Sequence, residues 1–244
     1  MVETLSFRRR YLPHWCVADR TYFVTFRLKH SIPRAVAEEW RRDREDFLKS
    51  GPSQQAILLF ERRQFARMDA CLDATSRTGT IASSQGAAKS GRATEAPNGL
   101  GTGQVAQALP PAHGVPETPV SDSGPMYSAD PAVAALVMEG FERLARDYHW
   151  LINALVVMPN HVHVLLRNTA GQSHMLSKHL GILKGCAARD ANTILCRKGD
   201  FWLSENFDHW CRGPDKIESA KRYIHNNPVK AGLAKRSEDW PWRM

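Results

Sequence analysis

The sequence predicts an α+β protein: an antiparallel sheet with helices packed against it. Three observations point there. Residues 21–28 alternate in a β-branched, aromatic pattern; the apolar runs 148–157 and 161–166 are separated only by Met158-Pro159-Asn160; and the stretches at 33–49, 131–148, 173–195 and 214–227 have helical spacing.

The chain opens on Phe7-Arg8-Arg9-Arg10-Tyr11-Leu12-Pro13-His14-Trp15. Two readings stand: an arm in which Arg8, Arg9 and Arg10 contact phosphates while Trp15 stacks on a base, or a solvated tail tied down by Trp15. Residues 21–28 then place Tyr22, Val24, Phe26 and Leu28 on one face and Thr21, Thr25 and Arg27 on the other, which is the period of a half-buried strand. Pro33 suits a first helical position, and the charged helix behind it ends before Gly51-Pro52. A second helix is read over 55–72, with Leu58, Leu59, Arg62 and Phe65 at helical spacing.

From 73 to 127 the composition changes. Eight of the sixteen glycines and six of the fourteen prolines fall there, and no aromatic residue lies between Phe65 and Tyr127. Such a stretch cannot build a core, and loop-closure entropy grows slowly enough with length for a surface insertion of this size to be tolerated. The expected organisation is one domain in two pieces, 1–72 and 128–244, around a structureless insertion at 73–127.

Asp130-Pro131 caps the next helix, whose stripe is Val133, Leu136, Val137, Phe141 and Leu144. The following run, Leu151 to Val157, is apolar on both faces and is expected at the centre of the sheet. Met158-Pro159-Asn160 turns it into the antiparallel strand His161-Val162-His163-Val164-Leu165-Leu166. Side chains at i and i+2 of a strand point the same way, so His161 and His163 stand side by side. That is the geometry two imidazoles offer a divalent cation; the alternative is a pair of ordinary strand histidines holding hydrogen bonds.

The helix at 173–195 turns Leu176, Leu180, Leu183 and Ala187 inward and Lys184 outward, where it can meet a phosphate or only water. Phe201-Trp202-Leu203-Ser204-Glu205-Asn206-Phe207-Asp208-His209-Trp210-Cys211-Arg212 concentrates rings and ionisable groups. Trp202 and Arg212 are candidate DNA contacts, as is Arg27, and Glu205, Asp208 and His209 are candidates for supporting a site. In the last helix Asp215 and Glu218 resemble a capping box, Ile217, Ala220 and Ile224 form the buried stripe, and Pro228 is expected to stop the helix. Tyr223 stands about 100° round from Ile224, with Asn227 one turn further on the tyrosine's own face.

Net charge bounds the partners. The formal charge of +8 and pI near 9.4 favour a polyanion, nucleic acid first. Five cysteines without a CxxC pair suit a reduced, cytoplasmic protein, and no stretch approaches the roughly 18 apolar residues of a membrane span.

Four segments in order, RRRYLPHW with TYFVTFRL, MPNHVHVLL, FDHWCR and YIHNNPVKAGL, resemble the single-tyrosine HUH transposases, and among them the REP-associated tyrosine transposases. The likeness covers the chain apart from 73–127. It implies a ferredoxin-like or RRM-like antiparallel sheet flanked by helices, metal ligation by His161, His163 and Asn227, and Tyr223 as nucleophile. It further implies Mg²⁺ or Mn²⁺, a 5′-phosphotyrosyl intermediate on single-stranded or hairpin DNA, and dimerisation, as in many members. Two alternatives keep the same fold: a domesticated DNA-hairpin-binding protein without turnover, and a metal-dependent phosphodiesterase in which Tyr223 is structural.

Overall fold

The computed structural model describes residues 4–9, 13–84 and 124–244. Its first two strands, β1 (Thr4–Arg9) and β2 (Pro13–Val17), pair antiparallel as a separate hairpin, with Phe7 opposite Trp15 and Arg8 opposite His14. The side chains of Arg8, Arg9 and Trp15, and all of Arg10, lie outside the described residues, and so does 85–123 of the expected insertion.

The main sheet begins at β3 (Thr21–Arg27). Helices α1 (Arg34–Lys49) and α2 (Gln54–Ser84) then form a pair held by Arg44–Glu61 and Arg67–Asp43 ion pairs and by the stacked rings of Phe47 and Phe60, 4.2 Å apart. Helix α3 (Pro131–Tyr148) follows, its Asp130 side chain accepting from Ala132 N as the Asp-Pro signature requires. Strands β4 (Trp150–Val157) and β5 (His161–Asn168), helix α4 (Leu176–Ile194), strand β6 (Phe207–Trp210) and helix α5 (Pro214–Lys230) complete the chain's main elements. The sheet order is β4-β5-β3-β6 with every neighbour antiparallel. From β3 onward, strand, helices, two strands, helix, strand is the split βαβ arrangement of a ferredoxin-like α+β fold.

Alternation divides the sheet's side chains between two cores. Tyr22, Val24, Phe26, Leu155, Val162 and Val164 pack against α3 and α4, with Phe141 and Leu180 among the residues they meet. Phe23, Val156, Met158 and Leu165 face the other way, against Ile224 of α5 and Phe65 of α2. His163 lies opposite Thr25 on β3 and Val156 on β4, so the two histidines belong to this second face.

Four expectations are corrected. Strand β4 is at an edge of the sheet, not its centre; its continuous apolar run is explained by the C-terminal residues, since Leu155 and Val157 donate to Met244 and Trp242 carbonyls at 2.9 Å and cover that edge. Helix α2 does not end at 72 but runs to Ser84, with Asp73, Thr75 and Ser76 buried, so the 73 boundary cuts a packed helix. Pro228 does not stop α5, which continues through it to Lys230; only the hydrogen bond that Pro228 would give to the Ile224 carbonyl is lost. The Asp215–Glu218 capping box is not formed, because the helix starts earlier, on Pro214 behind Gly213.

Candidate metal centre and tyrosine site

His161 and His163 are both fully buried, and their Nε2 atoms lie 3.1 Å apart. Two donors at right angles around a cation with bonds of 2.0–2.1 Å would be separated by about 3.0 Å. The pair is therefore spaced as neighbouring ligands.

What turns those nitrogens together is a chain of hydrogen bonds from α2. The Leu72 carbonyl can only accept, so the Asn160 Nδ2 faces it at 3.1 Å and also gives a proton to Thr75 Oγ1 at 2.8 Å. This fixes Asn160 Oδ1 toward His161 Nδ1, 2.6 Å away, where a carbonyl oxygen demands a donor. The proton of neutral His161 thus sits on Nδ1, leaving the Nε2 lone pair for a cation. Burial and the neighbouring His163 hold the His161 pKa well below its ordinary value, which keeps the ring neutral. His163 Nδ1 meets Thr25 Oγ1 at 2.7 Å; a hydroxyl both donates and accepts, so either tautomer of His163 is satisfied.

Helix α5 brings the second half. Tyr223, Asn227 and Lys230 fall at i, i+4 and i+7 on one face of the helix, and the turn beyond Pro228 is what places Lys230 there. The Tyr223 ring lies 5.5 Å from that of His163 and 5.9 Å from Phe23, and its hydroxyl donates to Asp69 Oδ2. Asn227 is fully buried. Neither of its amide heteroatoms meets a partner at hydrogen-bonding geometry, although the amide lies beside His161 and Tyr223 and acts on the protonation of both. A buried amide without partners, next to two converging lone pairs, fits a cation ligand.

Asp69 of α2 is the residue that sequence reasoning missed. Among the described residues Asp69, His161 and His163 form a buried group whose ligand atoms all lie within 4.8 Å of one another. Asp69 Oδ1 is 3.2 Å from His163 Nε2, and its Oδ2 is 3.1 Å from Lys230 Nζ. Burial works against the ionised form of Asp69, but the neighbouring His163 ring and the Lys230 ammonium outweigh it and hold the carboxyl far below its ordinary range. Asp73, one turn on and 2.8 Å from Lys230, is pushed up instead by burial and by Asp69. Burial also acts against the charge of Lys230, yet the two carboxylates prevail and raise its pKa. Tyr223 is raised well above its ordinary value by burial and by the Asp69 carboxylate, so it rests as a neutral donor. The one signal in the sequence was the i, i+4 spacing of Asp69 and Asp73 on a single helix face.

Tyr223 also lines an open pocket of about 630 Å³ shared with Arg222, His225, Asn226 and Lys230. The remaining candidates scatter. Arg27 is on the site face, opposite His161, with its guanidinium on Ser31 Oγ at 3.2 Å; burial lowers its pKa to about 10, which leaves it charged. His209 is opposite Phe23 and so shares the site face, whereas Asp208, opposite Val24, belongs to the other. Arg212 is exposed, its guanidinium 5.0 Å from the Trp210 ring centre. Lys184 does not point outward: it is buried, its ammonium bonded to Leu203 O, Ser204 O and Asn206 Oδ1, with Glu205 nearby. Trp202 is buried edge-on against Phe26 at 4.9 Å and offers no face to a base.

The family described as "Transposase IS200 like" matches residues 129–227, which include both histidines, Tyr223 and Asn227. A REP-associated tyrosine transposase of Escherichia coli (strain K12) is 30% identical over 100 residues, 41% of this chain and 57% of that protein. The chain is similar to the REP-associated tyrosine transposases. A putative member from Haemophilus influenzae (strain ATCC 51907 / DSM 11121 / KW20 / Rd) is 24% identical over 110 residues, 42% of this chain and 62% of that protein. The match thus spans about 60% of the length of these relatives. A solved structure of a REP-associated tyrosine transposase bound to a REP hairpin aligns with 98% of this chain and 81% of its own, at 15% identity and a TM-score of 0.47. Among the described residues no helix is long and apolar enough to cross a membrane.

Proposed function

We propose that this protein is a metal-dependent single-strand DNA endonuclease and strand transferase, a transposase whose nucleophile is Tyr223. The observation that carries the reading is the convergence of a tyrosine hydroxyl, two imidazole lone pairs and an unpartnered buried amide at one spot. Mg²⁺ or Mn²⁺ held by His161, His163 and Asn227 would polarise the scissile phosphate and offset its developing charge.

The chain's own residues do the rest. Asn160 and Thr25 fix the imidazoles, and Phe23 floors the site beneath the Tyr223 ring. The hydroxyl, held in place by the Asp69 carboxylate, attacks phosphorus as its proton passes to solvent through the adjoining pocket. As the P–O bond to Tyr223 forms, the bond to the 3′ oxygen breaks and that oxygen takes a proton from solvent, leaving a 5′-phosphotyrosyl strand and a free 3′-hydroxyl that a second end can use in reverse. Arg222 and Lys230 in the adjoining pocket suit a phosphate backbone entering beside Tyr223. Hairpin DNA resembling REP elements is the substrate suggested by the relatives' names, and a cytoplasmic dimer is the working form suggested by the family.

Incubation with labelled hairpin DNA and Mn²⁺ tests the reading. A denaturant-stable protein–DNA adduct that disappears in Tyr223→Phe is expected. Cleavage surviving that substitution would replace the proposal with a phosphodiesterase, and binding with neither adduct nor cleavage would replace it with a hairpin-binding protein.

A further inference from the structure

Helix α2 is fastened at both sides of the site. Asn160 is bonded to Leu72, Thr75 and Ser76 near the base of β5, and Arg77 donates to the Lys230 carbonyl of α5 at 2.7 Å. This double attachment carries Asp69 into the space between the histidines and the tyrosine. One carboxylate oxygen stands 3.2 Å from His163 Nε2, nearly the 3.1 Å separating the two imidazole nitrogens. The other oxygen accepts from the Tyr223 hydroxyl and is 3.1 Å from Lys230 Nζ.

Two neutral imidazoles and a neutral amide bring no negative charge to a divalent cation, and Mg²⁺ and Mn²⁺ favour carboxylate oxygen over nitrogen. Asp69 is the only acidic side chain in the buried cluster of potential ligands among the described residues. We infer that Asp69 is a fourth protein ligand of the cation and, through its second oxygen, the positioning residue for Tyr223, so that cation occupancy and tyrosine placement are coupled through one carboxylate. The inference rests on the cation-binding part of the proposed function and not on turnover. It makes α2 a component of the centre, although its chain segment lies far from both site motifs in the sequence.

Mn²⁺ binding to the full chain without DNA, followed by the electron paramagnetic resonance signal of free Mn²⁺, tests this apart from activity. Asp69→Asn is expected to weaken Mn²⁺ binding by at least about tenfold, the lower end of what even outer-sphere changes cost a metal site. Tyr223→Phe leaves the second oxygen to Lys230 alone and is expected to tighten binding by about fivefold, an effect absent when Asp69→Asn is already present. Wild-type affinity in Asp69→Asn overturns the ligand assignment, and additive effects of the two substitutions overturn the coupling. Should Asp69→Asn not fold, Asp69→Glu keeps the charge facing Lys230 while displacing the oxygens. It is expected to bind Mn²⁺ at least about threefold more weakly, and unchanged affinity there overturns the assignment. His161→Ala in the same titration separates the two ideas. Loss of binding there with wild-type affinity in Asp69→Asn removes Asp69 alone, whereas undiminished binding in His161→Ala removes the cation reading with it.

Discussion

Asn160 and His161 are neighbours in the chain and also hydrogen-bond partners, Oδ1 to Nδ1 at 2.6 Å, and the same asparagine is the point where α2 is tied to the sheet. Asn160→Ala therefore removes the lock on the His161 tautomer, leaves the buried His161 Nδ1 without its acceptor, and takes one hydrogen bond each from the Leu72 carbonyl and the Thr75 and Ser76 hydroxyls. Mn²⁺ affinity is expected to fall about 10–100-fold. Stability should fall by about 1–3 kcal/mol, the cost of buried polar groups left unpaired. Titration calorimetry and denaturant unfolding read the two effects separately. A stability loss with unchanged metal affinity would show that the lock does not matter to the cation.

The metal-free protein should lose stability as pH falls from 7 toward 5. Folded His161 has its pKa held well below 6.5 by burial, so in this window the unfolded chain takes up a proton that the native state refuses. The slope is at most about 1.4 kcal/mol per pH unit for each such histidine. Buried His179, also lowered by its burial, acts in the same direction. Below about pH 4 Asp69 adds to the loss, being ionised in the fold when it would be protonated outside it, whereas Asp73, raised in the fold, takes up its proton above its ordinary range and opposes the loss only there. His161→Gln should flatten the dependence between pH 7 and 5 by one histidine's share. An unchanged slope in chelator-treated protein would mean that His161 is not the group responsible.

How much of this site was legible depended on the range of each contact. His161 with His163, and Tyr223 with Asn227, are set by the periods of one strand and one helix, so their shared faces could be read locally. Asp69 meets Tyr223 across 154 positions, and its i, i+4 spacing with Asp73 is too common on helices to mark an aspartate that turns inward. The strand Leu151 to Val157 misled for a related reason: its apolar run answers to the last residues of the chain, which cover its edge from a distant part of the sequence. Composition overreached at 73, where small and polar residues signalled loop while Asp73, Thr75 and Ser76 were buried by partners in the turn before β5 and on α5.

Lys230 stands between Asp69 and Asp73, at 3.1 and 2.8 Å. Lys230→Met leaves two nearly buried carboxyl groups facing each other. Breaking a fully buried pair costs about 3–5 kcal/mol, but the Lys230 side chain is 46% exposed, so solvent screening brings the expected loss down to about 1–3 kcal/mol. Adding Asp73→Asn should restore part of that loss by removing one of the facing charges. A double variant no more stable than Lys230→Met would show that charge repulsion is not the cause.

Lys184 and Arg212 are both basic residues of the region that closes the sheet, yet the fold gives them opposite work. The Lys184 ammonium is spent on three oxygens inside the protein, while the Arg212 guanidinium is exposed above Trp210. Lys184→Met should therefore cost about 1–3 kcal/mol of stability, because Asn206 and two carbonyls lose a charged donor, and should leave the salt dependence of DNA binding unchanged. Arg212→Ala should leave stability within about 0.5 kcal/mol of the parent. If Arg212 neutralises a phosphate, its loss lowers the slope of log K against log salt by about 0.7 on single-stranded DNA. Binding titrations of hairpin DNA over a salt series, with thermal unfolding on the same samples, check both. A reduced slope for Lys184→Met would return that lysine to the DNA-binding surface and overturn its structural assignment.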